Sequence, residues 1–209
     1  SADMSDMQDR PVSPGDRTSW SSATTFQDVA NLTARWLEGS VRSQPGYMPE
    51  CGPDDETLPL VSTLVKANRA GFLTTASQPG MSSHLGHGAS QWAQRPAVEG
   101  FVLADNPLRK QIIADAKRAG LFVRAVPSGW LAAFRARAPL PIAVTTRDGR
   151  PYTVFGIRHN PYKYDDLCPR VAAEAVDNAI HLTVIDKRYE ESDQLWRIID
   201  SAVDAVAGR

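Results

Sequence analysis

The chain has 209 residues, of which 42% are hydrophobic and 22% are charged, and its formal net charge is −1. A chain of this length and composition is typical of one soluble globular domain. Near-neutral charge without a basic stripe argues against nucleic acid as a partner, and the lack of any apolar run of about 18 residues argues against a membrane partner.

Two cysteines, Cys51 and Cys168, lie far apart, and neither belongs to a Cys-x-x-Cys pair. We therefore expect reduced thiols in a cytoplasmic protein, without structural zinc. Residues 1–19 contain Asp, Ser, Pro and Met but lack the apolar segment of a signal peptide. This predicts a disordered leader, followed by a single domain over residues 20–209.

Two helices are predicted in the first part of the chain. Apolar residues recur at helical spacing over residues 26–37, and Thr25 with Asp28 fits a capping box at the start. An acidic run at residues 54–56 favours the beginning of a second helix, which ends at Gly71. Turn-forming Gly and Pro residues separate the two helices.

The stretch over residues 69–101 gathers many reactive side chains beside irregular backbone. It predicts a strand at residues 72–75 and a tight turn at residues 77–80, where Pro79 and Gly80 are the second and third residues that a type II turn requires. A loop rich in Gly, Ser and His follows, and then a second apolar strand. Loops at strand ends often carry function, so we expect the site here.

The rest of the chain continues to mix helices and strands. In chain order the pattern predicts a helix at residues 105–120, a strand at 121–126, a hairpin over 141–157, a helix from 165, a strand at 181–189 and a helix from 192. Some strands are connected by helices and others by tight turns. The predicted fold class is therefore α/β of the α+β type, with a mixed β-sheet and packed helices.

The tetrapeptide Ser-Gln-Pro-Gly occurs at residues 43–46 and again at residues 77–80. Either copy can be a plain turn, but the second directly follows an apolar strand, where ligand contacts collect. There Thr75, Ser77 and Gln78 offer hydroxyl and amide groups that suit a neutral polar or phosphorylated ligand. Ser77 is also a candidate nucleophile, although Ser-Gln-Pro lacks the pattern of a nucleophile elbow.

His84 and His87 are three residues apart in a loop that contains glycines. No carboxylate lies within ten residues of either histidine, so we predict no metal. The alternatives are histidines that only pack in the loop, or a role for His87 as general base and for His84 as a substrate contact. Trp92 either closes over this site or packs against its neighbours.

Arg95 and Glu99 are four residues apart and, at the period of a strand, lie on one face. They are either a plain surface ion pair, which contributes little to stability, or part of a site. Glu99 is embedded in an apolar run, where a carboxylate needs a partner or has a raised pKa, and either makes it a candidate acid or base. Asp186 ends another apolar strand, where it contacts a ligand or caps the next turn.

The segments ANRAGFLTTASQPG, WLEG…QPGY and QRPAVEGF resemble a family of uncharacterised actinobacterial domains of unknown function. The likeness covers residues 18–104 and implies no established activity. The shared blocks contain Ser77, Gln78, Arg95 and Glu99, and the resemblance implies that these four residues belong to one candidate site.

These features predict a pocket between the turn at Ser77, the loop at residues 84–92 and the beginning of the Glu99 strand. Our leading hypothesis is an enzyme that acts on a small polar metabolite, with proton transfer by Glu99 or a nearby histidine. Ser77, Gln78 and Arg95 would bind or polarise this substrate. The alternative is a non-catalytic module that binds a ligand or a protein. No cofactor motif is present, and the oligomeric state stays open, a homodimer included.

Overall fold

The computed structural model describes residues 10–128, 140–158 and 161–209, without the side chains of His87, Pro161 and Tyr162. The helices within these ranges are α1 Pro14–Ser21, α2 Phe26–Glu38, α3 Val61–Arg69, α4 Pro107–Arg118, α5 Arg170–Asp177 and α6 Gln194–Ala207. The strands are β1 Phe72–Gln78, β2 Met81–Leu85, β3 Gln91–Gln94, β4 Ala97–Val102, β5 Phe122–Val126, β6 Ile142–Arg147, β7 Arg150–Phe155 and β8 Ile180–Ile185. The predicted α+β class is confirmed.

The strands form two sheets, whereas the strand pattern predicts a single mixed sheet. The first sheet has the order β1-β4-β8-β5 and the second has the order β2-β3-β6-β7, and each described pairing is antiparallel. The chain crosses between the sheets at Pro79 and again at Pro96. Because proline has no N–H to donate, neither strand ladder continues through these positions.

The domain begins before residue 20. Ser13 caps α1, and Pro14 occupies its first turn. Trp20 is fully buried, and its Nε1 donates a hydrogen bond of 2.8 Å to the Ser43 carbonyl. The predicted disordered leader is therefore wrong for residues 14–19, because this helix anchors a large aromatic side chain. Residues 1–9 lie outside the described residues.

The first two predicted helices are present as α2 and α3. Thr25 and Asp28 form the predicted capping box, and Gly39 ends α2 in the left-handed conformation with φ of 87°. The acidic run begins a 3₁₀ segment, Asp55–Leu60, and the chain becomes α-helical only from Val61. Among the described residues, no helix combines the length and the apolar character needed to cross a membrane.

Two strands occupy the stretch that is predicted to be a Gly-, Ser- and His-rich loop. β2 is an edge strand, and its side chains from Ser82 to Leu85 are exposed. It therefore lacks the apolar alternation that would reveal a strand in the sequence. β8 is also shorter than predicted, since it ends at Ile185.

The first sheet is covered on both faces. The larger apolar core lies between this sheet and the helices and contains Trp20, Phe72 and Leu182. A smaller cluster joins the other face to the second sheet through Ala97, Val144, Phe155 and Ile185. Side chains that point from β4 toward the second sheet are therefore enclosed.

Candidate functional site

Ser77 and Glu99 do not face each other. In the antiparallel register of β1 with β4, Ser77 lies opposite Val98, and Ala76 lies opposite Glu99. Directly opposed residues share a face and successive residues alternate, so the Ser77 and Glu99 side chains lie on opposite faces of the sheet. The predicted single pocket containing both residues is therefore wrong, and the site divides into two parts.

The first part is a cavity of about 320 Å³ at the free edge of β1. Its walls come from α2, the segment at residues 44–57, α3, β1 and β7. The lining residues are Thr33, Trp36, Leu37, Gln44, Tyr47, Pro53, Asp54, Glu56, Thr57, Leu64, Thr74, Thr75, Ala76, Ser77, Gln78, Thr153 and Phe155. Three of the predicted substrate contacts, Thr75, Ser77 and Gln78, are thus brought to one cavity.

These three side chains differ in their freedom to bind a ligand. Gln78 is buried, and its amide donates to the carbonyls of Arg95 and Val144 at 2.9 and 3.0 Å. Its Oε1 accepts from Thr145, so Gln78 joins the two sheets and has no polar atom left over. The Thr75 hydroxyl donates to the Glu99 carbonyl at 3.3 Å. The Ser77 hydroxyl bonds to no described residue and is available.

The two Ser-Gln-Pro-Gly copies adopt different conformations. Gly46 has φ of 71°, and the Tyr47 N–H donates to the Gln44 carbonyl, as a type II turn requires. Gly80 has no positive φ, so the predicted turn at residues 77–80 is wrong. Glycine is needed there for space, because a β-carbon at Gly80 would lie 1.9 Å from the Glu190 carbonyl oxygen.

The earlier copy, not singled out as a site, contributes to the cavity. Tyr47 contacts the Trp36 ring edge-on at 5.5 Å and donates its hydroxyl to Asp54 at 3.1 Å. Burial, with the nearby Asp54 charge, raises the pKa of Tyr47 to about 12. The Glu56 carboxylate accepts from the Gln94 amide at 3.3 Å. No periodic pattern marks Tyr47 and Asp54 in the sequence, because both lie in a segment of turns.

The second part surrounds Glu99, which is only 3% exposed. Its carboxylate accepts from the Gly156 N–H at 2.9 Å and from the Thr183 hydroxyl at 3.3 Å. The His181 Nε2 lies 3.8 Å away. Burial raises the pKa of Glu99, while these two hydrogen bonds and the Lys163 charge act in the opposite direction. The prediction of an embedded carboxyl with a raised pKa therefore agrees with the geometry.

Lys163 connects the two parts. Burial lowers the pKa of Lys163 to about 8, opposed by the charge of Glu99. Its stem packs on the turn that lines the cavity, since a β-carbon at Gly46 would lie 2.5 Å from the Lys163 Cβ. Sequence reasoning missed Lys163 and His181, because a lysine in a polar loop and a histidine in a strand are both unremarkable in one sequence.

Arg95 and Asp186 lie together at the end of the first sheet, away from the Glu99 carboxylate. The Arg95 guanidinium stacks on the Tyr189 ring at 4.4 Å and donates to the Ala143 carbonyl at 3.2 Å. Asp186 is buried, and its Oδ1 accepts from the Arg188 N–H at 3.1 Å. Asp186 therefore caps the next turn, which is one of the two predicted alternatives.

His84 and Trp92 lie on the second sheet, where they face each other across β2 and β3. His84 is exposed, and Trp92 packs edge-on against Tyr152 at 4.7 Å with Arg147 over its ring. Neither lines the cavity, so the packing alternative holds for Trp92. The side chain of His87 lies outside the described residues. Within the described ranges, no three His, Cys, Asp or Glu side chains are grouped as metal ligands.

The fold and the cavity define an α+β domain with two antiparallel sheets and a polar hollow at a sheet edge. Residues 15–206 match the model of a domain of unknown function, DUF6919, and the chain belongs to that family. The match confirms the resemblance to an uncharacterised family and extends it to the second half of the chain; the actinobacterial source stays a prediction. No curated protein matches this chain.

Proposed function

We propose that this domain binds a small polar molecule in the cavity at the edge of β1. The observation that carries the proposal is the hollow of about 320 Å³ into which the chain brings the free hydroxyl of Ser77. This volume is at the small end of the range for ligand sites. Apolar walls from Leu37 and Phe155 beside hydroxyl and carboxylate groups are the usual composition of such a site.

An acid–base enzyme is the second candidate, and the Glu99–Lys163 neighbourhood favours it. Opposite pKa perturbations of a carboxyl and an amine in one enclosed place are typical of catalytic sites. Glu99 is separated from the cavity by β1, but Lys163 packs on the turn between Gln44 and Tyr47, which both line the cavity. In this proposal Lys163 exchanges a proton with the bound molecule, and Glu99 sets its charge state.

The binding proposal is tested by a thermal-shift screen against small polar metabolites, followed by titration of each hit. Ser77→Leu should fill the cavity and abolish binding of the hits. Ser82→Leu is the matched control, because it places the same side chain on the exposed face of β2. Hits that bind the Ser77→Leu variant as well as the unchanged protein would refute the assignment of the cavity.

The two candidates differ in what Glu99→Gln does. Glutamine keeps the shape and an oxygen that accepts from Gly156, but it carries no charge. A binding module should keep its affinity for the hits in this variant. An enzyme should keep affinity while its turnover shifts to a lower pH range, because the Glu99 charge raises the pKa of Lys163 and glutamine removes that charge.

The chain's other predicted properties stay part of this proposal. The protein would act in the cytoplasm and would bind a small polar molecule. It would bind neither nucleic acid nor a membrane. The net charge of −1 supports this, because phosphate backbones and anionic lipid attract basic surfaces. Nucleic-acid binding that weakens steeply with added salt would contradict it.

A further inference from the structure

We propose that the cavity at the edge of β1 recognises a small organic cation, such as an ammonium or methylated ammonium group, through Trp36, Tyr47, Asp54 and Glu56. This inference names the ligand class for the same cavity and so depends on the proposed function. It rests on the charge of the lining, on the partners of its carboxylates and on the arrangement of its aromatic rings.

The described side chains that line the cavity carry negative charge and no positive charge, since Lys163 packs on the turn at Gly46 but is not a lining residue. Asp54 and Glu56 both line the cavity, and among the described residues no Lys, Arg or His side chain does. Each carboxylate has a neutral partner: Asp54 accepts from the Tyr47 hydroxyl, and Glu56 accepts from the Gln94 amide. Neither forms an ion pair with a described residue, so both charges remain to attract a cation.

Two aromatic rings form a corner of the same cavity. The Trp36 and Tyr47 rings stand 5.5 Å apart at an interplanar angle of 72°. Their polar atoms are occupied, since Trp36 Nε1 donates to the Cys51 carbonyl and the Tyr47 hydroxyl donates to Asp54. Both rings line the cavity, and aromatic π surface attracts a cation and favours an organic cation over a strongly hydrated metal ion.

The same lining disfavours an anion. A phosphorylated ligand, which the hydroxyl and amide groups alone would suit, needs Arg, Lys or a cluster of free N–H groups for its charge. Gln78 cannot supply such a donor because its amide joins the two sheets. The choice between the ligand classes is therefore electrostatic: the hydroxyls accommodate any polar group, while the two carboxylates select for positive charge.

The test is a titration of the full chain with three small probes of different charge, followed by calorimetry or NMR. The probes are choline, its neutral isostere 3,3-dimethylbutan-1-ol and the anion acetate. Choline should bind at least about tenfold more tightly than the neutral isostere, and acetate should not bind. Raising the salt concentration should weaken choline binding, since both carboxylates are exposed at the mouth of the cavity.

Three isosteric variants locate the effect. Asp54→Asn and Glu56→Gln should each weaken choline binding about fivefold and leave the neutral isostere unaffected, because each removes one charge and little volume. Asp55→Asn is the matched control: Asp55 lies between these two residues in the chain but does not line the cavity, so its loss should leave affinity unchanged. Equal weakening by all three variants would indicate only a general surface field and would overturn the inference.

The outcomes also separate this inference from the proposed function. If choline fails to bind, or binds no better than its neutral isostere, the cation assignment is wrong. If at the same time a neutral or anionic metabolite from the screen is blocked by Ser77→Leu, the proposed function stands. If Ser77→Leu prevents the binding of no metabolite and of no probe, both the cation assignment and the proposed function are wrong.

Discussion

Replacing Lys163 by methionine should make the protein more stable at neutral pH. Burial lowers the pKa of Lys163 to about 8 from its ordinary 10.5. This difference corresponds to about 3.4 kcal/mol of unfavourable free energy for the charged amine in the folded state. Lys163 keeps some exposure, which reduces the cost through screening, so we expect a gain of about 1–3 kcal/mol in the free energy of unfolding. Methionine should preserve the packing of the stem on Gly46.

The gain should depend on pH in a defined direction. Because the folded-state pKa of Lys163 is depressed, the protein loses stability as the pH falls from 10.5 to about 8, and the full cost is present below pH 8. The advantage of Lys163→Met should therefore be largest below pH 8 and should vanish above the unfolded pKa. Urea unfolding followed by tryptophan fluorescence at several pH values measures this difference.

Lys110→Met is the matched control, since Lys110 is exposed on α4 and its loss should leave the free energy of unfolding unchanged. A Lys163→Met protein that is less stable at pH 7, or that differs from the unchanged protein by the same amount at every pH, would refute this reasoning. A confirmed gain would support a functional role for Lys163, because a residue kept at a cost in stability usually serves the site.

Three further changes test the fold around the site. Gly80→Ala should lower the free energy of unfolding by at least about 2 kcal/mol, because its β-carbon would lie 1.9 Å from the Glu190 carbonyl oxygen; urea unfolding measures this. Gln78→Ala should cost about 1–3 kcal/mol in the same assay, because it removes the hydrogen bonds of Gln78 with Arg95, Val144 and Thr145 that join the two sheets. Glu99→Gln should be no less stable than the unchanged protein near pH 4 and should gain relative to it as the pH rises above 4.5, since a raised folded-state pKa makes the ionised carboxyl unfavourable; a pH series of unfolding curves measures this.

Each of these changes has its own control. Gly15→Ala in α1 meets nothing within 4 Å and should not lower stability. Gln91→Ala removes an exposed amide on β3 and should have a small effect. An equal loss for Gly15→Ala and Gly80→Ala, or for Gln91→Ala and Gln78→Ala, would contradict the role of close packing at the crossing between the sheets. A Glu99→Gln advantage that does not change with pH would contradict a raised pKa.

Local rules in the sequence predict most of the helices. The capping box of Thr25 with Asp28 and the left-handed Gly39 place α2 almost to the residue, because a helix satisfies its hydrogen bonds within one segment. α1 was missed because its one buried anchor, Trp20, shows no helical period in a short polar segment. Its position depends on a distant contact with the Ser43 carbonyl.

The division into two sheets was not predictable from strand patterns. Two of the crossings are marked by a proline, Pro79 or Pro96, but a proline only indicates that a ladder stops. Whether the next strand joins the same sheet or a second one depends on pairing between distant segments, such as β3 with β6. The exposed β2 adds to the difficulty, because its side chains from Ser82 to Leu85 are exposed on both faces of the strand.

The candidate site was predicted in part for a similar reason. Glu99 could be recognised as an embedded carboxyl, and Ser77 as a polar group at a strand end, from their immediate neighbours alone. Their separation follows from register, in which Ala76 and not Ser77 lies opposite Glu99. A shift of one residue moves a side chain to the other face of a sheet, so proximity in sequence does not determine a shared pocket.

A two-dimensional ¹H–¹⁵N NMR titration tests most directly whether a ligand binds at the edge of β1. Titrating the strongest hit of the metabolite screen, or choline, should shift the indole N–H signal of Trp36 and the amide of Ser77. The indole signal of Trp92, which packs on the second sheet against Tyr152, should stay in place. Shifts confined to Trp92 and its neighbours, with Trp36 unchanged, would contradict the assignment of the cavity as the binding site.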